Sequence, residues 1–339
     1  MNLRLLATLL LLGCARLASA ADLYYLTHEI PIGGEGGWDY LSLDAAARRL
    51  YVTHATKVVV IDVDREGILG QITGTPGVHG FALAPELKRG FASNGREGTV
   101  SIVDLLTLKT ISKTTAGENP DAIIYEAGRQ EVYAFNGRSP SVTVIAAATG
   151  VVVTNTPLPG KPEFAAADAF TGRVYCNIED KNEVVVLDAK THAVVQVWPI
   201  TPGEEASGMA IDPATHHLFI GCHNERMLML NAATGGLLDK VAIGQGVDAC
   251  AFDPGTQLAF SSCGDGTTTI ARELGGKLEV VQTLWTRRGA RTMALDPQTH
   301  KIYLATVDYE AQPDDQTRRP RQIPNTLKVL VYSMAKSAP

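Results

Sequence analysis

A segment with the same pattern of strands and turns recurs seven times along this chain, and this repetition constrains the fold more than any other feature. Each copy has a short apolar strand, an acidic or proline-containing turn, and further short strands. The turns lie at intervals of 40 to 44 residues, at Asp44, Ala84-Pro85, Glu126, Asp168, Asp212-Pro213, Asp253-Pro254 and Asp296-Pro297. A four-stranded sheet cannot bury both faces until it stacks against neighbours. The sequence therefore predicts an all-β, seven-bladed β-propeller of four-stranded antiparallel blades.

The first and last segments of the chain indicate how the ring closes. Residues Asp22 to Ile32 form one apolar strand with no hairpin partner nearby, whereas the last copy offers only three strands. We expect the N-terminal strand to join the last blade, because closure removes an open sheet edge. The last copy also contains a polar, proline-rich insertion, Tyr309 to Asn325, for which a mobile flap and a disordered excursion are both consistent with the sequence.

The N-terminus has the pattern of a secretory signal peptide. A charged start is followed by the apolar run Leu5 to Leu12 and the small residues Ala18-Ser19-Ala20. The apolar run is too short to span a bilayer. We expect residues 1–20 to be removed, leaving a single propeller domain, 21–339, in the periplasm or secreted. Alternatively, Leu11-Leu12-Gly13-Cys14 resembles a bacterial lipobox, in which Cys14 would be acylated.

The composition excludes a disordered chain and disfavours nucleic acid as a partner. The chain is 45% apolar and 19% charged, with a formal net charge of −6. A basic set falls on the loops at one face, where acidic residues interrupt it: Arg96, Arg138, Lys181, Arg226, Arg287, Arg288 and Arg291. Such residues suit a carboxylate or phosphate ligand. We expect a monomer without a transmembrane segment.

One column of the repeat predicts the ligand site. The position that precedes each apolar first strand holds an ionisable residue in six of seven copies: Asp39, His79, Asp121, Glu163, Ser207, Asp248 and Arg291. Ring closure would gather these side chains around the mouth of the central channel, which makes the mouth the expected binding site. The alternative is that they cap turns by bonding backbone N–H groups.

The repeat also carries a recognisable motif. Tyr51-Val52-Thr53-His54 differs by one residue from Tyr-Val-Thr-Asn, and Phe91 to Asn94 and Tyr133 to Asn136 keep the asparagine. The chain thus resembles the YVTN-repeat, YncE-type bacterial propellers. The resemblance specifies the fold more strongly than the chemistry. We interpret the chain as a ligand- or protein-binding module that acts through its loop face, without catalysis of its own. The expected ligand-binding residues are Asp39, His54, His79, Asn94, Arg96, Asp121, Asn136, Arg138, Glu163, Glu179, Asp248 and Arg291.

The competing interpretation is a metal-dependent hydrolase or lactonase at the channel mouth. Oxygen donors that Ca²⁺ requires occur in the loops beside the column: Asn94, Asn136, Asn177, Glu179 and Asp180, with Asp121 and Glu163. Calcium-dependent lactonases on propeller folds use a similar set. No haem-attachment, G-x-S-x-G or P-loop motif occurs in the sequence, and no catalytic residue can be named.

The histidines and cysteines allow narrower expectations. His192, His216, His217 and His300 fall in turns and are expected to be solvated, which leaves His54, His79 and His223 as candidates on the loop face. Four cysteines remain after processing: Cys176, Cys222, Cys250 and Cys263. Cys222 and Cys263 end equivalent strands of neighbouring blades and are the first disulfide to test, with buried free thiols as the alternative.

Overall fold

The computed structural model describes residues 22–313 and 320–335, so the predicted signal peptide and Cys14 lie outside the described residues. Blade 1 contains β2 (Trp38–Asp44), β3 (Arg49–His54), β4 (Lys57–Asp62) and β5 (Gly67–Thr73); a separate strand, β1 (Tyr24–Pro31), precedes it. Blade 2 contains β6 (Val78–Ala84), β7 (Arg89–Asn94), β8 (Thr99–Asp104) and β9 (Lys109–Thr115). Blade 3 contains β10 (Pro120–Glu126), β11 (Glu131–Asn136), β12 (Ser141–Ala146) and β13 (Val152–Pro157).

The remaining blades follow the same order. Blade 4 contains β14 (Pro162–Asp168), β15 (Arg173–Ile178), β16 (Glu183–Asp188) and β17 (Val194–Pro199). Blade 5 contains β18 (Ala206–Asp212), β19 (His217–Cys222), β20 (Arg226–Asn231) and β21 (Leu237–Ala242). Blade 6 contains β22 (Val247–Asp253), β23 (Leu258–Cys263), β24 (Thr267–Leu274) and β25 (Lys277–Trp285). Blade 7 contains β26 (Met293–Asp296), β27 (Lys301–Thr306) and β30 (Lys328–Met334).

The seventh blade confirms the predicted closure and the seven-bladed fold. Its sheet order is β1-β30-β27-β26, so the N-terminal strand is the outer strand of the last blade. The pairing is antiparallel and runs from Tyr24 opposite Met334 to Pro31 opposite Lys328. Tyr24 is fully buried, and its hydroxyl donates to the carbonyl of His300 at 2.8 Å. The two ends of the chain therefore stabilise each other.

Burial along the blades explains the apolar composition of the inner strands. Second and third strands are covered on both faces by neighbouring blades, and β3 and β4 are accordingly almost entirely buried. Fourth strands lie at the outside, and β9 is almost entirely exposed. Apolar side chains of adjacent blades form one core at each interface, such as Val52 with Tyr303 between blades 1 and 7. Each blade thus buries its faces only within the closed ring.

The turns between first and second strands lie on what we call the turn face, opposite the loop face that carries the loops between second and third strands and the connectors between blades. Their carboxylates are buried and accept hydrogen bonds from the turn backbone, as from Gln298 N to Asp296 Oδ1 at 2.9 Å. Several also contact a basic side chain of the next blade. The pairs are Arg48 Nη1–Asp296 Oδ2 at 2.6 Å, His216 Nδ1–Asp168 Oδ2 at 3.2 Å and His300 Nδ1–Asp253 Oδ2 at 2.7 Å.

The expectation that the four turn histidines are solvated is wrong for His192 and His217, whose side chains are only 11% and 15% exposed, whereas those of His216 and His300 are 34% and 31% exposed. His216 and His300 bridge blades as described, His192 lies 2.8 Å from a carboxylate oxygen of Glu131, and His217 lies 3.6 Å from one of Glu273. The sequence did not reveal these contacts, because each histidine meets an acid from a different blade. The stacking of blades converts turn residues into interface residues.

The predicted pairing of Cys222 with Cys263 does not occur. All four cysteines are buried and free. Cys222 packs in the core between blades 4 and 5, and Cys263 packs in the core between blades 5 and 6. Because equivalent positions of neighbouring blades point into successive cores, a sheet lies between these two thiols, and stacked sheets are about 10 Å apart. The alternative of buried free thiols is confirmed.

The described part of the insertion in blade 7 forms a two-stranded antiparallel sheet of β28 (Tyr309–Pro313) and β29 (Pro320–Gln322). Helical structure in the described chain is limited to two 3₁₀ turns, Pro85–Leu87 and Glu179–Lys181. Within residues 22–313 and 320–335, no helix has the length and hydrophobicity that crossing a membrane requires.

Candidate functional site

The column of ionisable residues meets at the loop-face end of the channel, which we call the mouth. His79 lies between two aspartates: its Nδ1 is 2.7 Å from Asp39 Oδ2 and 3.6 Å from Asp121 Oδ1. These three residues come from blades 1, 2 and 3. On the other side, Arg291 Nε is 2.6 Å from Asp248 Oδ2, and Ser207 Oγ is 3.2 Å from Asp248 Oδ1. The structure thus gathers residues that are up to 252 positions apart in sequence.

Burial and mutual repulsion change the acidity of the mouth. Burial, with the nearby charges of Asp39 and Asp248, raises the pKa of Asp121 to about 6. Burial also raises the pKa of Asp39, although the hydrogen bond from His79 opposes the change. For His79, burial disfavours the imidazolium, but the hydrogen bond to Asp39 and the charges of both aspartates outweigh it and raise its pKa to about 9. His79 is therefore a cation at neutral pH.

Glu163 extends the acidic surface toward blade 4. Lys161 Nζ donates to Glu163 Oε1 at 2.6 Å and also to Glu179. Burial and the charge of Asp121 raise the pKa of Glu163 to about 7, although Lys161 opposes the change. The side chains of Asp121 and Glu163 remain 17% and 14% exposed, so a ligand in the channel mouth can reach them.

The backbone of the mouth is held by side chains from the preceding blade. Ser93 Oγ donates to the carbonyl of Asp121 at 2.6 Å, and Asn177 Nδ2 donates to the carbonyl of Ser207 at 2.7 Å. Ser262 Oγ donates in the same way to the carbonyl of Arg291. Because these bonds use only main-chain oxygens, they leave the mouth side chains free to bind a ligand.

Two aromatic rings form the floor of the mouth. Tyr40 and Phe164 come from blades 1 and 4 and meet across the channel, with ring centroids 4.9 Å apart and planes at 69°. Burial and the charges of Asp121, Glu163, Asp39 and Asp248 raise the pKa of Tyr40 well above its usual range. The rings also line a cavity of about 280 Å³ that continues along first-strand residues such as Ile123 toward the turn face.

The asparagines of the motif do not line the mouth. Asn94 and Asn136 are fully buried, and their amides donate to hydroxyls of their own blades, Ser101 and Ser141 among them. Asn177 bonds the next blade instead. Their prediction as ligand residues is therefore wrong, because the motif asparagine completes the blade. His54 is also wrong as a surface ligand, since only 1% of it is exposed and its Nδ1 meets the carbonyl of Gly37.

The donor set at the mouth does not match calcium. Among the described residues, one group of three potential ligands has its ligand atoms within 4.8 Å of one another, namely Asp39, His79 and Asp121. Calcium binds six to eight oxygens, whereas this group includes a protonated imidazole. Asp180, another predicted donor, accepts a hydrogen bond from Lys161 N at 2.7 Å and caps a loop.

The predicted basic residues do not form one patch. Arg96 and Arg138 line an open groove of about 490 Å³ between blades 2 and 3. Arg287 pairs with Glu29, and the guanidinium of Arg288 lies over the ring of Tyr309, 5.8 Å from its centroid. Lys181 and Arg226 are exposed on other blades, and His223 lies 3.8 Å from Glu205.

Sequence reasoning missed Tyr40, Phe164 and Lys161. The aromatic pair had a detectable signal, because the position after the mouth column is small in the other five blades: Gly80, Ala122, Gly208, Ala249 and Thr292. Small residues there leave room for two rings in the channel. Lys161 lies in a connector and had no equivalent signal.

Comparison with known proteins shows the fold alone. No known protein family matches the sequence, and no curated protein is similar to it. Among solved structures, U3-55K has a TM-score of 0.74 at 11% identity, over 91% of this chain and 98% of that chain. A chain of the mitotic checkpoint complex has a TM-score of 0.77 at 14% identity, over 99% and 100%. The RRP9 WD40 repeats have a TM-score of 0.76 at 10% identity, over 93% and 98%.

Proposed function

We propose that this protein is an exported binding module, related to the YVTN-repeat propellers, whose channel mouth binds a positively charged side chain of a protein partner. The observation that carries the proposal is an excess of carboxylates above an aromatic floor. Among the described residues of the mouth, the carboxylates of Asp39, Asp121, Glu163, Glu179 and Asp248 pair with three cations, His79, Lys161 and Arg291. Burial and, to a smaller extent, repulsion between carboxylates raise the pKa values of Asp121 and Glu163, and an incoming cation would offset the repulsion.

An organic cation suits the mouth better than a metal ion. The place between Asp39 and Asp121 is already taken by the imidazolium of His79, which a metal ion would have to deprotonate. The rings of Tyr40 and Phe164 form the floor of the mouth, and an alkylammonium or guanidinium group within about 6 Å of a ring centroid is attracted to the ring. A lysine or arginine side chain has both the charge and the apolar stem that such a site accommodates.

A protein partner is consistent with the architecture. Propeller scaffolds place loops from every blade on one face, and loops held by a rigid scaffold commonly carry binding residues. One similarly folded chain belongs to a multiprotein assembly, the mitotic checkpoint complex. The predicted signal peptide favours a partner in the periplasm or outside the cell.

The test uses a fluorescent, N-acetylated glycine–serine peptide that carries one lysine and a C-terminal amide. We expect binding to the wild-type protein and weakening by roughly tenfold or more in Asp121→Asn and in Glu163→Gln, since each loses a charge-assisted interaction. Asp212→Asn is the matched control, because Asp212 is a buried carboxylate in a turn of blade 5 on the turn face. Fluorescence anisotropy gives the affinities, and thermal melts verify folding.

Two results would reject the proposal. One is a peptide affinity that both mouth substitutions leave unchanged. The other is equal binding of a peptide in which norleucine replaces lysine, since that peptide keeps the stem and lacks the charge. A parallel titration with CaCl₂ and ZnCl₂ addresses the hydrolase alternative: a rise in melting temperature that Asp121→Asn abolishes would assign the mouth to a metal ion instead.

A further inference from the structure

The second residue of the loop between the second and third strands has different roles in different blades. In blades 4, 5 and 6 it has a polar side chain that accepts a hydrogen bond from a backbone N–H of the preceding connector. The contacts are Asp180 Oδ1 with Lys161 N at 2.7 Å, Asn224 Oδ1 with Glu204 N at 3.2 Å and Asp265 Oδ2 with Gln245 N at 2.8 Å. In blades 2 and 3 the same position holds Arg96 and Arg138. An arginine has no acceptor and cannot form this cap.

The two connectors compensate for the missing cap in other ways. The equivalent connector residue is Pro76 before blade 2, which has no N–H to satisfy. Before blade 3 it is Glu118, whose N–H donates to Ser139 Oγ at 2.8 Å. Both loops keep the same backbone path, because Arg96 N donates to Pro76 O and Arg138 N to Glu118 O. The arginines are thus accommodated at a structural position without contributing to it.

Both arginines line the same groove, between blades 2 and 3, and its walls are fixed. Ala116 N donates to the carbonyl of Gly98 in blade 2, and Gly117 N donates to Asn136 Oδ1 in blade 3. A side chain at Gly117 would collide with Ser139 and Asn136, so the floor of the groove is bare backbone. Among the described residues, neither guanidinium has an ion pair or a hydrogen bond, and both are exposed. Two unpaired guanidinium groups beside a rigid groove provide the hydrogen-bond donors that a planar anion requires.

The charges in the groove favour a carboxylate over a phosphate. The two arginines supply two positive charges, Glu118 supplies one negative charge, and Glu97 is balanced by Lys113 Nζ at 2.5 Å. The groove therefore matches a monoanion, whereas a phosphate-rich chain would meet Glu118 and the acidic mouth. The mouth is adjacent, because Gly95 packs against the imidazole of His79.

We propose that the Arg96–Arg138 groove binds a carboxylate of the same partner segment whose basic side chain enters the mouth. This inference rests on the proposed function and adds a second subsite to it. The recognised ligand is therefore a dipolar peptide segment, with an ammonium or guanidinium group followed at short range by a side-chain or C-terminal carboxylate.

The experiment compares the single-lysine peptide with a C-terminal amide to the same peptide with a free carboxylate, with zero to four residues between lysine and terminus. At the best spacing we expect the free acid to bind the wild-type protein roughly tenfold more tightly than the amide. Arg96→Ala and Arg138→Ala should each remove most of this preference and leave binding of the amide unchanged. Arg226→Ala is the matched control, because Arg226 is an exposed arginine on the loop face of blade 5.

The outcomes separate this inference from the proposed function. The groove proposal is rejected if the free acid and the amide bind equally well at every spacing. It is also rejected if the preference for the acid survives both arginine substitutions. In either case, dependence of binding on the lysine would still support the cation site at the mouth. A carboxylate preference that persists in the norleucine peptide supports the groove and rejects the mouth. Inorganic phosphate that displaces the free-acid peptide at lower concentration than acetate overturns the choice of carboxylate. No binding of any peptide at millimolar concentration rejects both proposals.

Discussion

Neutralising the mouth carboxylates should stabilise the folded protein at neutral pH. Asp121 has its pKa raised from 3.8 to about 6, and Glu163 from 4.5 to about 7, so both favour the protonated form in the folded state. Their favourable contribution to stability is fully present below their unfolded pKa values and is lost as pH rises through about 6 to 7. At pH 7.5 both carboxyl groups are ionised, although their surroundings in the folded protein favour the protonated form. Asp121→Asn and Glu163→Gln remove this unfavourable ionisation.

The structure sets the size of the effect. The change in the pKa of Asp121 corresponds to about 3 kcal/mol. Because the folded protein relaxes around an ionised group, we expect each substitution to raise the free energy of unfolding at pH 7.5 by about 1–3 kcal/mol. The double variant should gain less than the sum, since part of each penalty is the repulsion between the two carboxylates. At pH 4, where the wild-type carboxyl groups are largely protonated, most of the gain should disappear.

Urea denaturation of the wild type and both variants at pH 4 and pH 7.5 measures these differences. Asp212→Asn serves again as the control, because its carboxylate accepts hydrogen bonds from Ala214 N and Thr215 Oγ1 and should give no gain at pH 7.5. If Asp121→Asn and Glu163→Gln destabilise the protein as much at pH 7.5 as at pH 4, the ionised carboxylates are stabilised in the fold and the reasoning fails.

Two further expectations concern the N-terminal part of the chain. Deleting Asp22 to Ile32 should cause aggregation or a loss of more than about 5 kcal/mol, because it exposes the edge of β30 and removes the buried Tyr24 and Ile30; a monomeric variant with an unchanged melting temperature would refute the closure. The secreted protein should begin at Ala21 and carry no lipid, which intact-mass measurement determines; an acylated N-terminal Cys14 would replace release with membrane anchoring.

The repeat allowed the fold to be predicted because its signals are local. Strand and turn patterns near Asp44 and Asp296 depend on neighbouring residues. The N-terminal strand has no hairpin partner nearby, so it was expected to pair with the last blade, which lacks a fourth strand. The inter-blade pairs could not be predicted in the same way. Nothing in the sequence near His300 indicates that its acid is Asp253, 47 positions earlier, since that contact exists only after two blades stack.

The candidate site was predictable in outline and wrong in detail. The column at Asp39, His79 and Asp121 was identified because ring closure superimposes equivalent positions. The motif residues Asn94 and Asn136 were misassigned because an asparagine that completes its own blade and one that binds a ligand have the same sequence context. Only the hydrogen-bond partners of each amide distinguish the two roles.

The hydrogen bonds from Ser93, Asn177 and Ser262 to main-chain carbonyls of the mouth have a consequence for how this protein changes over evolutionary time. The frame of the mouth depends on residues that lie outside the recognition surface, so mutation can exchange the mouth side chains one at a time while the frame persists. A library randomised at the seven column positions should therefore contain mostly folded members. The same scaffold can acquire a new ligand through successive substitutions at these positions, while each intermediate variant still folds.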